Sequence, residues 1–140
     1  MIVYLDTSAL VKRYFQEPFT AEVLAKWKEA EAIVTSSVAY AETLAAMYRK
    51  QRQDELAPNT IRDLARSFQA DWQTIIRVEV CEALNPYIDK VLQNHPLRGF
   101  DAVHLASALL IGQQLSAPPF FACFDQQLNQ AARENSLPVF

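Results

Sequence analysis

Short apolar runs, held apart by segments with helical periodicity, constrain this chain more than any other feature of it. Ile2 to Leu5, Ala32 to Thr35, Thr74 to Cys81 and Phe120 to Phe124 read as strands. Their apolar character is continuous rather than alternating, so both faces of the sheet must be covered, and strands joined by helices pair in parallel. The expectation is a three-layer α/β/α fold around a mainly parallel central sheet of about five strands, with Leu137 to Phe140 as an edge strand.

The intervening segments fit that scheme. Leu10, Val11, Tyr14 and Phe15 predict a helix over 9–16 that Glu17-Pro18 ends. Helices are also expected over 20–30, 38–52 with Ser36-Ser37 as its cap, 59–73, 86–94, 102–115 and 125–134. Gly99-Phe100-Asp101 opens the sixth of these, the most apolar, which marks it as central. No linker or repeat divides the chain, so residues 1–140 are expected to form a single domain.

Composition narrows the chemistry. With 51% apolar and 21% charged residues the chain is not disordered, and no apolar run is long enough to cross a bilayer. The N-terminus runs straight into a strand, without a basic leader, and a cytoplasmic protein with no membrane partner is expected. Cys81 and Cys123 both fall in strand-like runs and are expected as reduced, buried thiols. Gly99 and Gly112 cannot build a phosphate-cradling loop, and His95 and His104 are too far apart for HExxH. Carboxylates remain as the chemistry to pursue.

Most of the sixteen acidic residues are explained as wet helix faces, among them Glu22, Glu29, Asp63, Asp71 and Glu134. Four are not so easily placed. Asp6 ends the first apolar run, Asp125 ends the last, and Asp101 opens the central helix; each alone reads equally as a helix cap. Glu42 sits inside a helix with only Val38, Ala39, Ala45 and Ala46 at neighbouring positions, so no cation of its own helix pairs with it. If the first strand is central, with the second and last strands beside it, all four converge where the strand order reverses. Clustered carboxylates repel unless cations neutralise them, and an oxygen-only donor set favours Mg²⁺ or Mn²⁺ over zinc.

At these residues the chain resembles a known family. Ile2 to Leu10, Thr35 to Glu42, Leu97 to Ala106, and Phe124 to Leu128 followed by Ala131-Ala132 resemble, in order, the four acidic motifs of PIN-domain nucleases, in particular VapC toxins of prokaryotic toxin–antitoxin pairs. The resemblance implies Asp6, Glu42, Asp101 and Asp125 as the catalytic and metal-binding acids, with Ser8 as a polar neighbour. It implies metal-dependent hydrolysis of RNA, a homodimer, and a cognate antitoxin as partner. Two departures stand out: Cys123 occupies a position where the family often has threonine or serine, and Ser136 one where glycine is common.

Arg98 and His104 flank Asp101 within one helical turn and are candidates for contact with substrate or its water. The basic cluster around Arg49, together with Lys12 and Arg13, suits phosphate attraction, though a helix C-terminus attracts cations too. A structure-specific DNA nuclease is the neighbouring reading, and a catalytically silent PIN-like module holding a basic peptide is the reading from a different class. A receiver-like phosphorylation module would need a lysine after a late strand, where this chain has Asp125-Gln126-Gln127.

Overall fold

The computed structural model describes residues 1–140. Its elements are β1 (Ile2–Leu5), α1 (Thr7–Val11), α2 (Thr20–Glu29), β2 (Ala32–Ser36), α3 (Ala39–Asp54), α4 (Pro58–Trp72), β3 (Ile76–Val78), a single 3₁₀ turn (Glu82–Leu84), α5 (Asn85–Asn94), α6 (Gly99–Leu115), β4 (Phe120–Ala122) and α7 (Gln126–Glu134). The strands pair in the order β3-β2-β1-β4, all parallel. From β1 the chain steps outward to β2 and β3, then returns through α5 and α6 to lay β4 on the other side of β1. The reversal therefore falls beside β1, at whose carboxyl end a crevice must open.

Alternation along β1 divides the core. Tyr4 points with Val34 and Phe121 into a layer closed by α5, α6 and α7, where Leu105, Ala106 and Leu128 are fully buried. Val3 and Leu5 point the other way, against Leu10, Val23, Met47 and Phe68 from α1 to α4. This is the three-layer arrangement expected. No helix is long and apolar enough to cross a membrane.

The sheet has four strands rather than about five. The C-terminal segment contributes only an isolated bridge, Phe121 to Val139, beside a 2.7 Å hydrogen bond from the Phe121 N–H to the Pro138 carbonyl. Pro138 has no N–H for the next rung back, and Ser136 turns the chain with φ 63°, so the pairing does not extend in that direction. β3 and β4 are also shorter than the apolar runs. Thr74 and Ile75 donate back to the Asp71 carbonyl at 2.9 and 3.2 Å, prolonging the end of α4 instead of starting β3. Beyond Val78 the chain leaves the sheet, and Cys81 is exposed rather than buried.

The first helix ends at Val11, and its continuation to Tyr14 tightens to i→i+3 bonds of 3.0 to 3.1 Å. Arg13, expected as a phosphate contact, is committed elsewhere: its Nε donates to Asp71 Oδ2 at 2.8 Å and its guanidinium lies 4.0 Å from the Trp27 ring centroid. Tyr14 donates to the same carboxylate oxygen at 2.8 Å, so Asp71 anchors α4 rather than facing water alone.

Glu17-Pro18-Phe19-Thr20 then forms a type II turn, closed by the Thr20 N–H on the Glu17 carbonyl at 3.2 Å. Phe19 takes its third position, with φ 72° and ψ 7°, where glycine is the ordinary occupant. A left-handed backbone on a side chain of this kind costs about 1 kcal/mol.

One buried group is unsatisfied in a way that can be tested. Thr43, fully buried on α3, has no hydrogen-bond partner for its hydroxyl. Thr43→Val keeps the shape and removes the orphan, so the variant is expected to be more stable by about 1 kcal/mol in urea unfolding. A loss of stability would show that this hydroxyl is engaged.

Candidate active site

The end of β1 delivers Asp6 into the crevice. Its Oδ1 caps α1 by accepting the Ala9 N–H at 2.9 Å, and also accepts the Ser8 hydroxyl at 2.7 Å; no protein donor reaches Oδ2. The cap and ligand readings of Asp6 are therefore compatible, since one oxygen serves each. The residue is only 4% exposed. Burial pushes its carboxyl up to about 6, with the Asp101 charge adding to that rise, while His104, the Ser8 hydroxyl and the Ala9 N–H act in the opposite direction.

Glu42 comes from the first turns of α3. Its Oε1 accepts the Thr7 hydroxyl at 2.6 Å and lies 2.9 Å from His104 Nε2. Burial alone would raise its carboxyl, but the hydrogen bonds from His104 and Thr7 outweigh it and hold Glu42 below the usual range. His104 is 2% exposed, and its Nδ1 lies 2.8 Å from the Tyr4 hydroxyl. The network assigns a tautomer in which Tyr4 donates to Nδ1 and Nε2–H donates to Glu42. So placed, His104 orients a carboxylate and has no free nitrogen for substrate. The partner that α3 could not supply to Glu42 comes from α6.

Asp101, in the first turn of α6, receives Arg98 Nε on Oδ2 at 3.2 Å; the arginine side chain itself is 82% exposed. Asp125 caps α7 by accepting the Leu128 N–H at 2.8 Å. Cys123 is buried near the end of β4. Burial raises its thiol far above the ordinary value, and the charges of Asp6, Asp125 and Asp101 add to the rise. The thiol faces the Asp125 carbonyl at 3.7 Å, so residue 123 gives the fourth carboxylate no hydroxyl-type hydrogen bond.

Two clefts meet at Glu42. One, of about 660 Å³, is lined by Glu42, Asp101 and Arg98 with the apolar Ile88, Leu92 and Phe100. The other, of about 500 Å³, places Thr7 and Ser8 opposite Lys12, Arg49 and Lys50. Here Glu17 bridges two lysines, Lys50 at 2.7 Å and Lys12 at 3.3 Å. Burial would raise Glu17, but both lysines together hold it below its usual range. Arg49 lines the same cleft without an ion-pair partner.

A hard divalent cation fits this donor set in kind: carboxylate oxygens, a buried Asp6 whose Oδ2 has no protein donor, and no thiolate. The carboxylates do not form a preassembled cage, however, and no three of the His, Cys, Asp and Glu side chains converge closely enough to hold an ion as they stand. Each acid is engaged locally instead: Asp6 and Asp125 on helix caps, Glu42 on His104 and Thr7, Asp101 on Arg98. Thr7 and Tyr4 were not singled out by sequence. Tyr4 carries a signal of its own, because a tyrosine in a buried strand must find a partner for its hydroxyl, whereas nothing in the spacing links Thr7 to Glu42.

A parallel sheet with an acid-lined crevice at its reversal point, flanked by a basic wall, defines a class of α/β protein suited to phosphate chemistry. Residues 3–134 match the PIN domain family, and the chain belongs to that family, alongside the VapC ribonucleases. Ribonuclease VapC45 of Mycobacterium tuberculosis (strain CDC 1551 / Oshkosh) is 34% identical over 111 residues, covering 79% of this chain and 77% of that protein. The fold is shared with M. tuberculosis VapC20, a sarcin–ricin loop cleaving toxin, at TM-score 0.64 and 15% identity over 94% of this chain and 95% of that one. It is shared too with Rickettsia felis VapBC2 bound to a DNA fragment from its promoter, at TM-score 0.68 and 12% identity over 100% and 98% of the two chains.

Proposed function

We propose that this chain is the ribonuclease toxin of a toxin–antitoxin pair, a cytoplasmic enzyme that hydrolyses RNA phosphodiester bonds with Mg²⁺ or Mn²⁺ in one domain spanning residues 1–140. The observation that carries the reading is Asp6: a carboxylate 4% exposed at the end of the central strand, pushed up to about 6, with Asp101 acting on it. A VapC ribonuclease relative covering most of the chain supports RNA as substrate, and the assembled VapBC2 neighbour supports an antitoxin partner.

Asp6, Asp101, Glu42 and Asp125 would hold the cation, which supplies water activation and charge neutralisation at the phosphate. The chain's own residues divide the remaining work. Ser8 and the Ala9 N–H fix Asp6 Oδ1, leaving Oδ2 for the ligand. His104 and Thr7 keep Glu42 ionised and pointed, and Tyr4 keeps His104 in the tautomer that does so. Arg98 pairs with Oδ2 of Asp101 and leaves Oδ1 without a protein donor. Lys12, Arg49 and Lys50 offer positive charge to the flanking strand, which a chain of net charge −3 supplies only locally.

The test is incubation of the purified chain, free of any partner, with defined RNA and DNA panels. RNA cleavage is expected to vanish on chelation and to return with added Mg²⁺ or Mn²⁺. Cleavage of DNA in preference to RNA would favour a structure-specific DNA nuclease, and inertness toward both would favour a binding module.

A further inference from the structure

Phe19 does not suit its place in the fold. It fills the left-handed position of the turn over 17–20, which glycine would fill without strain, and the residue is 57% exposed. The ring is held rather than loose: it stacks on Phe124 with centroids 5.2 Å apart and planes at 21°. Phe124 in turn precedes Asp125, and its N–H donates to Ser8 Oγ at 3.2 Å, the same hydroxyl that donates to Asp6. Lys12 Nζ lies 4.8 Å from the Phe124 ring centroid and also lines the basic cleft beside Glu42. An exposed, pre-oriented ring stacked on the residue that precedes one of the proposed acids is the kind of platform on which proteins stack the bases of single-stranded nucleic acid.

We infer that Phe19 is a nucleobase-stacking residue, binding an unpaired base of the RNA beside the proposed acidic site. The inference rests on the ribonuclease reading and adds a base-contacting residue to it, one that only an unpaired base can reach, since a base inside a duplex stays in its stack. It also accounts for the turn, because a strained backbone persists where the side chain it presents is used.

Binding is measured by fluorescence anisotropy in the Asp6→Asn background, so that RNA is not consumed, with a short unstructured labelled RNA and an abasic RNA of the same length. Phe19→Gly is expected to weaken binding to the base-containing RNA roughly 10-fold and to leave abasic RNA binding unchanged. Phe19→Trp is expected to retain affinity. In the active enzyme Phe19→Gly should raise KM with little change in kcat.

A Phe19→Gly protein that binds both RNAs like the parent overturns the inference while leaving the nuclease intact, as does one that loses affinity for both equally. Loss of binding only to a protein partner also overturns it. Absence of RNA binding by the parent, with no cleavage by the active chain, overturns the ribonuclease reading itself.

Discussion

Asp6→Asn is expected to lose RNA cleavage by far more than ~100-fold, the loss that disturbing a mere supporting residue of a metal site can cause, and at the same time to make the protein more stable. Asparagine keeps the helix cap and an oxygen for Ser8 and the Ala9 N–H, so folding is preserved. What it removes is a buried charge. With a carboxyl raised from 3.8 to about 6, the folded chain binds a proton more tightly than the unfolded chain, so stability falls as pH rises from about 4 to 6. Above that window the ionised carboxylate costs at most about 3 kcal/mol, and the variant is free of it. Thermal melts in chelator should show Asp6→Asn above the parent at pH 7.5 and equal to it near pH 4. Added Mg²⁺ should raise the parent alone. Cleavage by the variant at the parental rate would remove Asp6 from the site, and a lower Tm at pH 7.5 would show that the carboxylate stabilises the fold.

The second large effect comes from the core. Phe121 on β4 is fully buried and lies parallel to Tyr4, with centroids 5.4 Å apart and planes at 2°. Truncation to alanine leaves a ring-sized cavity between the sheet and α6, and a loss of about 3–5 kcal/mol is expected. That is a large share of the stability of a typical domain. The cavity also frees the Tyr4 ring, whose hydroxyl sets His104 and through it Glu42. Phe121→Ala should therefore cleave RNA more slowly even at temperatures where it is fully folded, whereas Phe121→Leu should recover most of the stability. Urea unfolding gives the first quantity and single-turnover cleavage the second. Full activity in folded Phe121→Ala would show that Glu42 is held without the help of the Tyr4 stack.

The parts of this architecture legible in sequence are those written in contiguous residues. An apolar run that stops at Asp6, another that leads to Asp125, and helical periodicity between them define layers and strand direction; of the four acids, Glu42 and Asp101 line one cleft, while Asp6 and Asp125 cap their helices beside it. What could not be read depends on contacts between distant segments. Glu42 lacks a partner in its own helix, and only the packing of α6 on the sheet brings His104 to it from 62 positions away. Arg13 looked available for phosphate because nothing nearby in sequence claims it; Asp71 claims it from 58 positions away. The expected fifth strand failed for a local reason that was visible, a proline without a donor, and so did the burial of Cys81, which lies past the point where β3 leaves the sheet. The turn at Phe19 was half visible too, since Glu17-Pro18 marks a bend, but a proline does not announce that the residue after it will be left-handed.

The bridge at Phe121 and Val139 closes one side of the sheet to newcomers. The Phe121 N–H is already taken by the Pro138 carbonyl, so a chain adding to that edge of β4 has first to displace the C-terminal segment. On the far side β3 is only three residues long. With so little free main chain at either edge, the side chains lining the clefts around Glu42 are the larger surface open to a protein partner.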